Sequence, residues 1–175
     1  ITKRLFNRRN QFAFNIVPVP EDELEPTHAY SRDWERKHDL FALQYETNGE
    51  RLFVFAPQQR AWAAYNEQGQ LVDSGIASGG GIYCEDIGRP CLTPEGQFKI
   101  TRKGSITCSS NLYRTAMPMC MFFHTRGFAI HGAEEVPGSE NISHGCVRVN
   151  LHASIWLNTQ FLSIGSQVLV LPYSD

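Results

Sequence analysis

Short apolar stretches alternate with turn-forming residues along most of the chain, starting at Arg51. Turn signals such as residues 57–59, 66–69 and 93–96 separate them, which is the pattern of short β-strands. The predicted strands are residues 52–55, 60–65, 71–77, 97–101, 119–124, 128–131, 146–149 and 167–171. Strands this short, with turns this frequent, favour a mainly β fold of the sandwich or barrel type.

Two stretches have helical rather than strand spacing. Residues 151–162 carry leucine and isoleucine at helical intervals, and Asn150 just before them is a good N-cap, so a helix is predicted there. A second short helix is predicted over residues 33–43, where Trp34, His38 and Phe41 share the helical period. Residues 79–81, three glycines, predict a flexible link; phosphate binding is disfavoured because no Lys-Ser/Thr pair follows them.

Residues 1–50 differ in character from the rest of the chain. They have a basic start, an acidic middle and three prolines (Pro18, Pro20 and Pro26), which forbid a regular helix there. We interpret residues 1–50 as an extension packed on or near a single domain that spans residues 51–172. A lid or a partner-binding arm is the less favoured alternative.

Composition indicates a globular domain rather than a nucleic-acid-binding or membrane-spanning protein. The 175 residues are 42% hydrophobic, enough for one domain with a proper core. The net charge is −2 and no basic patch is visible, so nucleic acid is not an expected partner. No apolar run approaches the roughly 18 residues that a membrane-spanning helix needs, so no integral membrane segment is expected.

The five cysteines bear on the compartment. Four of them can pair and leave one free, and proximity favours Cys84 with Cys91 and Cys108 with Cys120. The odd cysteine, Cys146, then stands inside a histidine-rich motif, as expected of a cysteine that is kept free. Disulfides between the other four would indicate an oxidising compartment, where such bonds persist. A set of reduced, half-buried thiols in a cytosolic protein remains the alternative.

Residues 130–150 hold the candidate chemistry. Cys146 is a candidate nucleophile, because a thiolate is strongly nucleophilic and the imidazole of His131 can take its proton. Pro137 and Gly138 mark a chain reversal that can return His131 to Cys146. Backbone amides near Gly145 can approach a reacting carbonyl and form an oxyanion hole. His144 is expected to point away from the thiol and to stiffen the loop through hydrogen bonds.

Other interpretations of this motif stay open. Two histidines and a cysteine can hold zinc, but the spacing of His131, His144 and Cys146 matches no finger or metalloprotease motif. The site is therefore expected to hold no metal and no cofactor. A buried cysteine beside a core histidine, with no chemistry, is the simplest alternative. Arg148 is a candidate for binding a substrate carboxylate, or else a partner in an ion pair.

Three short motifs in the sequence resemble those of a known family. Residues 130–132 (Ile-His-Gly) and 143–148 (Ser-His-Gly-Cys-Val-Arg) resemble the signature of the L,D-transpeptidase catalytic domain, the YkuD-type fold. Residues 93–98 (Thr-Pro-Glu-Gly-Gln-Phe) resemble a strand of the same family. The resemblance covers residues 51–171 and leaves the first 50 outside it. The interval between His131 and Ser143 is short for the family, which implies a tighter loop at the site.

The resemblance implies a fold, an activity and a compartment. The fold is an L,D-transpeptidase-type β-sandwich with one or two short helices. The activity is that of a bacterial cell-wall enzyme, exported to the periplasm or the wall, that acts on peptidoglycan stem peptides and passes the acyl group to an amine on a second stem or on an acceptor protein. Trimming of stems by water (L,D-carboxypeptidase activity), a non-catalytic wall-binding module and a cysteine peptidase of another fold are the alternatives.

The resemblance also implies roles for individual residues. Cys146 is the nucleophile and His131 the base, with the carbonyl of Gly132 orienting the imidazole. Ser143, His144 and Gly145 complete the catalytic motif, and amides around the last two and Cys146 hold the oxyanion. Arg148 and Asn150 are the substrate-binding candidates. Bridges between Cys84 and Cys91 and between Cys108 and Cys120 would stiffen the loops that cover the site, and carbapenems are expected to acylate Cys146.

Overall fold

The computed structural model describes residues 2–3, 18–19, 31–111 and 114–175. Strands account for most of the regular structure, so the prediction of a mainly β fold is confirmed. In chain order they are β1 (Thr2–Lys3), β2 (Pro18–Val19), β3 (Leu52–Ala56), β4 (Ala61–Tyr65), β5 (Leu71–Ser78), β6 (Gly96–Lys99), β7 (Arg102–Lys103), β8 (Met121–Phe122), β9 (Ala129–Ala133), β10 (Val147–Asn150) and β11 (Gln167–Val170). β1 pairs with β2 in an antiparallel two-stranded sheet.

The other nine strands form one sheet in the order β6-β11-β3-β4-β5-β10-β9-β8-β7. β6 and β7 lie at opposite edges of this sheet, yet only Ile100 and Thr101 separate them in the chain. The Ile100 amide donates to Ser166 O beside β11, and the Thr101 amide donates to Phe122 O in β8. The sheet therefore curls until its two edges meet, which gives a single sheet the two facing layers of a sandwich.

The central hairpin of β3 and β4 is buried on both of its faces. Because strand side chains alternate, Phe53, Phe55 and Trp62 point into the core inside the curl, which also holds Val147, Val149 and Ile130. Their neighbours Leu52, Val54, Ala63 and Tyr65 form a second core on the outer face. Residues of the extension cover that outer face: Phe41 packs on it, and Tyr65 OH donates to Ala42 O.

A helical segment follows β10 directly. The Asn150 side chain accepts from the amides of His152 and Ala153, which confirms the predicted N-cap, and helix α1 spans Leu151–Trp156. A π-helical turn, Leu157–Phe161, continues it, and Trp156, Leu157 and Phe161 enter the inner core. Among the described residues no helix combines the length and apolar character needed to cross a bilayer.

The helix predicted over residues 33–43 is wrong. Only His38–Leu40 forms a helical turn, of the 3-10 type. Polar groups of this stretch bond to β5: Trp34 Nε1 donates to Ser74 O, and the Lys37 amide donates to Ser74 Oγ. These tertiary contacts override the helical spacing, which reflects one buried side chain, Trp34, rather than an apolar helix face. Most other expectations for residues 1–30 lie outside the described residues.

The flexible link predicted at residues 79–81 is also wrong. All three glycines are buried, and their amides donate to Asn141 Oδ1, Thr93 Oγ1 and Ser143 O in turn. A Cβ on Gly80 would lie 1.9 Å from Cys91 O. The glycines therefore allow a close approach between backbones rather than motion.

Candidate active site

A groove of about 740 Å³ opens at one end of the curled sheet. Cys146, His131, Ser143, His144 and Arg148, all predicted from sequence, line it. Residues from the irregular stretch after β7, including Cys108, Ser109 and Met117, form another wall. This irregular stretch therefore forms part of the groove lining.

The two adjacent strands β9 and β10 bring His131 and Cys146 to the same groove. They pair in parallel, with His131 opposite Arg148, and Cys146 lies just before β10 begins. The reversal expected at Pro137-Gly138 is therefore part of a crossover connection. Parallel neighbours require one, because the chain must return to the end of the sheet at which the first strand began. His131 is buried, and Cys146 is half-buried.

Burial favours the neutral form of both groups. It lowers the pKa of His131 to about 4, with a smaller contribution from the positive charge of Arg148, while the hydrogen bond to Gly132 acts in the opposite direction. Burial also raises the pKa of the Cys146 thiol, against a backbone hydrogen bond with Ala129 and the Arg148 charge, which lower it. At neutral pH the resting site therefore holds a thiol and a neutral imidazole rather than a thiolate and an imidazolium.

A backbone contact orients the imidazole. Nδ1 of His131 lies 2.8 Å from Gly132 O, so Nδ1 carries the proton and Nε2 has the free lone pair. Gly132 also allows β9 to pack closely on α1, since a Cβ there would lie 2.3 Å from Ser154 Oγ. The tautomer that a base needs is thus set by the strand that carries it.

The segment just before Cys146 is held by its own hydrogen bonds. Ser143 Oγ donates to Cys146 O and accepts from the Gly145 amide at 3.0 Å. Gly145 has φ +131°, and a Cβ there would lie 2.1 Å from Cε1 of Phe128. The Gly145 amide is thus engaged by Ser143, and its contribution to an oxyanion hole stays a prediction.

Three residues that support this segment were not found from sequence. Thr93 Oγ1 donates to Gly145 O at 2.7 Å, Asp86 Oδ2 lies 2.7 Å from His144 Nε2, and the ring of Phe128 packs over Gly145. Thr93 stands in the Thr-Pro pair that carried part of the resemblance, which was the only available signal. Nothing in the sequence marks Asp86 or Phe128, since each meets its partner only through the fold.

Two disulfide bridges flank the groove. The structure joins Cys84 to Cys91 and Cys108 to Cys120, and leaves Cys146 as the free cysteine. The first bridge closes the loop that carries Asp86, and both of its sulfurs lie against Ser143 O. The second ties the wall that follows β7 to the stretch before β8. A Cβ on Gly104 would lie 2.4 Å from Cys120 Sγ, so a glycine is required there.

The zinc alternative finds no support in the arrangement of side chains. Among the described residues, the one group of three potential ligands within 4.8 Å of one another is Cys84, Asp86 and His144, not His131, His144 and Cys146. The sulfur of Cys84 is committed to its disulfide. Of the two substrate-binding candidates, Arg148 lines the groove, whereas Asn150 lies outside the lining and caps α1.

Comparison with known proteins identifies the family. The profile of the L,D-transpeptidase catalytic domain (YkuD) matches residues 49–170. Against curated proteins, no relative matches the chain.

Solved structures agree in fold. An L,D-transpeptidase from Xylanimonas cellulosilytica is 27% identical, with a TM-score of 0.61 over 74% of this chain and 64% of that one. One from Stackebrandtia nassauensis is 20% identical, with a TM-score of 0.61 over 75% and 61%. L,D-transpeptidase 3 from Mycobacterium tuberculosis, solved with a faropenem-derived adduct, is 18% identical, with a TM-score of 0.54 over 70% and 60%. The chain thus spans less than two thirds of the length of each of these relatives. With most of its length matched by the family profile, the chain belongs to the L,D-transpeptidase catalytic-domain family.

Proposed function

We propose that the protein is a cysteine-dependent peptidoglycan L,D-transpeptidase. Cys146 attacks the carbonyl of the third residue of a tetrapeptide stem and releases the terminal D-alanine. The resulting thioester passes its acyl group to an amine, on a second stem to give a 3→3 cross-link or on an acceptor protein. The free cysteine that lines one groove with a buried, neutral histidine is the observation that carries this proposal.

The proton follows the tautomer of His131. Nε2 takes the thiol proton as the sulfur bonds to the carbonyl carbon, and the tetrahedral intermediate forms with a negative oxygen. Nε2 then gives the proton to the nitrogen of D-alanine as the carbon–nitrogen bond breaks. In the second half-reaction the acceptor amine loses a proton to Nε2 and attacks the thioester, and the thiol returns.

The oxyanion requires donors beside the nucleophile. The amide of Cys146 itself, rather than that of Gly145, is the donor that we assign here, because the Gly145 amide bonds to Ser143 Oγ. The two hydrogen bonds of Ser143 and that of Thr93 to Gly145 O hold this backbone in place. Ser143, His144 and Gly145 therefore act by shaping the nucleophile segment, and the Gly132 carbonyl acts by orienting the base.

The compartment follows from the thiols. Bridged Cys84–Cys91 and Cys108–Cys120 suit the periplasm or the cell wall, where disulfides persist. They also leave Cys146 as the sole reactive thiol. A relative was solved with a faropenem-derived adduct, so we expect β-lactams of the penem and carbapenem classes to acylate Cys146.

A product analysis by mass spectrometry tests the proposal. The protein is mixed with a disaccharide-tetrapeptide from a diaminopimelate-type wall, beside the Cys146→Ala and His131→Ala variants. Dimers and free D-alanine that require both residues are the expected result, with at least a ~1,000-fold loss in each variant. D-alanine without dimers, even with added amine acceptors, would reassign the protein as a trimming carboxypeptidase. No product and no β-lactam adduct would favour a binding module.

A further inference from the structure

Four arginines line the groove: Arg89, Arg102, Arg126 and Arg148. No aspartate or glutamate belongs to the described residues that form this lining. The chain as a whole has a net charge of −2, so the charge of the groove is opposite in sign to that of the molecule. A concentration of one sign in a cleft selects ligands of the other sign.

Two of these arginines are held by aromatic rings next to the nucleophile. Cζ of Arg102 lies 3.9 Å from the ring centre of Phe122, which belongs to the buried cluster against which Cys146 packs. Cζ of Arg126 lies 5.7 Å from the ring centre of Phe128, the residue packed over Gly145. A guanidinium stacked on a ring is fixed in position while its N–H groups stay available.

The other two arginines stand on different parts of the lining. Arg148 is close enough to the reacting pair for its charge to lower the pKa of both His131 and Cys146. Arg89 belongs to the loop closed by the Cys84–Cys91 bridge and pairs through its backbone with Cys84. The four positive charges therefore come from separate segments of the groove lining.

The acidic side chains near this loop do not neutralise the groove. None of the ion pairs among the described residues includes any of the four arginines. Asp86, on the same loop as Arg89, is bonded to His144, and Glu85 beside it is exposed and outside the groove lining. Within the part of the chain that the structure describes, no carboxylate pairs with these guanidinium groups, whose planar fork matches a ligand carboxylate.

We propose that the groove selects stem peptides whose carboxylates are free and discriminates against stems in which they are amidated; this inference rests on the proposed function. A diaminopimelate tetrapeptide carries a carboxylate on D-glutamate, one on the diaminopimelate side chain and one at its D-alanine end. Amidation replaces an acceptor oxygen with an NH₂ donor, which faces the arginine donors without a partner and removes the charge.

Matched synthetic substrates test this selection. The set comprises the free-acid tetrapeptide, its D-glutamate α-amide, its diaminopimelate amide and the doubly amidated form. D-alanine release gives kcat/KM for each at low and at high salt. We expect each amidation to lower kcat/KM by about 10-fold at low salt, and salt to reduce the value for the free acid more than for the doubly amidated form.

Single substitutions assign the carboxylates to arginines. Arg89→Gln, Arg102→Gln and Arg126→Gln are each measured with the whole substrate set, and at least one is expected to lose its preference for one particular carboxylate. The Lys version of that arginine should restore part of the preference, since charge returns without the fork. Lys99→Gln, an exposed change on β6, is the matched control for a lost positive charge. Alkylation of Cys146 by neutral iodoacetamide checks that each variant keeps its site.

Each outcome bears on one of the two proposals. Equal kcat/KM for all four substrates, with D-alanine released, overturns the carboxylate selection and leaves the transpeptidase proposal standing. A preference for the amidated stems overturns it as well. Release from none of the substrates, while iodoacetamide still labels Cys146, overturns the proposed function and this inference with it.

Discussion

At the scale of single residues, the burial of His131 determines the protonation state of its imidazole in the substrate-free protein. With a pKa of about 4 the imidazole is neutral at physiological pH, and the thiol of Cys146, whose pKa is raised, keeps its proton. In the proposed mechanism the thiolate then forms as the carbonyl approaches, when the oxyanion donors can compensate for the charge. A resting thiol is also less reactive toward oxidants than a thiolate, which suits the one cysteine outside the bridges.

The same burial makes stability depend on pH. The folded-state pKa of His131 lies below its ordinary value, so the unfolded chain binds a proton first as pH falls. The contribution is fully present above about pH 6.5 and is lost between there and about pH 4. We expect a loss on the order of 3 kcal/mol of unfolding free energy across that window, measured by urea denaturation at a series of pH values.

Removing the imidazole should remove that part of the pH dependence. His131→Gln is expected to flatten the curve between pH 6.5 and 4 relative to the wild type. His124→Gln, which removes a half-exposed imidazole from the turn before β9, is measured beside it as the control for the loss of an imidazole. An unchanged slope in His131→Gln would show that folding does not lower the pKa of this histidine.

Gly145 offers a test of the backbone next to the nucleophile. Gly145→Ala combines a positive φ with a collision against Phe128, so we expect a loss of more than about 3 kcal/mol of stability, and activity below detection. Gly127→Ala is the matched control, because φ is +86° there and no atom lies within 4 Å of the added Cβ. It should cost only about 1–2 kcal/mol and keep activity. Similar losses in both variants would reduce the role of Gly145 to its φ alone.

Sequence and structure agree best on residues whose chemistry is visible in their type. A cysteine near two histidines draws notice in any sequence, and the strand pairing brings Cys146 and His131 to the same groove. Thr93, Asp86 and Phe128 act through partners more than 15 residues away in the chain, so no local pattern points to them. The arginine lining is equally hidden, since it combines side chains from separate loops and strands.

At the scale of elements, the predictions succeeded where a strand carries its own signal. β3, β4, β5 and β11 are close to their expected bounds because each is a run of apolar residues between turns. The failures are the helix over residues 33–43 and the link over residues 79–81. Both stretches owe their conformation to neighbours far away in sequence, a serine in β5 for the first and the chain before Cys146 for the second.

The bridge between Cys108 and Cys120 should stabilise the wall of the groove. Closing this loop is worth about 2–3 kcal/mol in the chain-entropy account, so Cys108→Ser with Cys120→Ser should lose about that much in denaturant unfolding. Catalysis should weaken through KM more than through kcat, because Cys108 and Met117 line the groove and take no part in the proposed proton transfers.

Thiol counting checks the same bridges directly. Denatured, non-reduced wild-type protein should show one reactive thiol, and the double serine variant should also show one, that of Cys146. Changing only Cys108 should expose a second thiol, on Cys120. Five thiols in the wild type would contradict both bridges.

At the scale of the whole molecule, the described part of the extension is built into the domain. The Trp34 side chain is buried between Trp62 and Trp156, and the rings of Trp34 and Trp156 each carry a guanidinium, those of Arg36 and Arg32. Residues 41–45 continue along the outer core, where the Tyr45 amide donates to Gly69 O. We therefore propose that the folding unit extends upstream of the boundary expected at residue 51, although the proposed catalytic residues all lie beyond it.

Two ion pairs join this extension to β5. Asp73, in β5, is buried and accepts from both Arg32 and Arg36, the latter through Nε at 2.8 Å and Nη2 at 3.2 Å. Removing both arginines leaves a buried carboxylate without a counter-charge, which is far more costly than losing an exposed pair. We expect Arg32→Gln with Arg36→Gln to cost on the order of 3–5 kcal/mol of unfolding free energy.

A double-mutant cycle separates that charge from simple loss of contact. Adding Asp73→Asn to the two arginine changes should recover most of the loss, because a neutral amide needs no counter-charge. Lys99→Gln, which breaks the exposed pair with Glu50, is the control and should leave stability nearly unchanged. Without recovery in the triple variant, the arginines would be holding the extension through their stacking on Trp34 and Trp156 instead. Urea unfolding followed by tryptophan fluorescence measures both outcomes at the contact between the extension and the core, where Trp34, Trp62 and Trp156 meet.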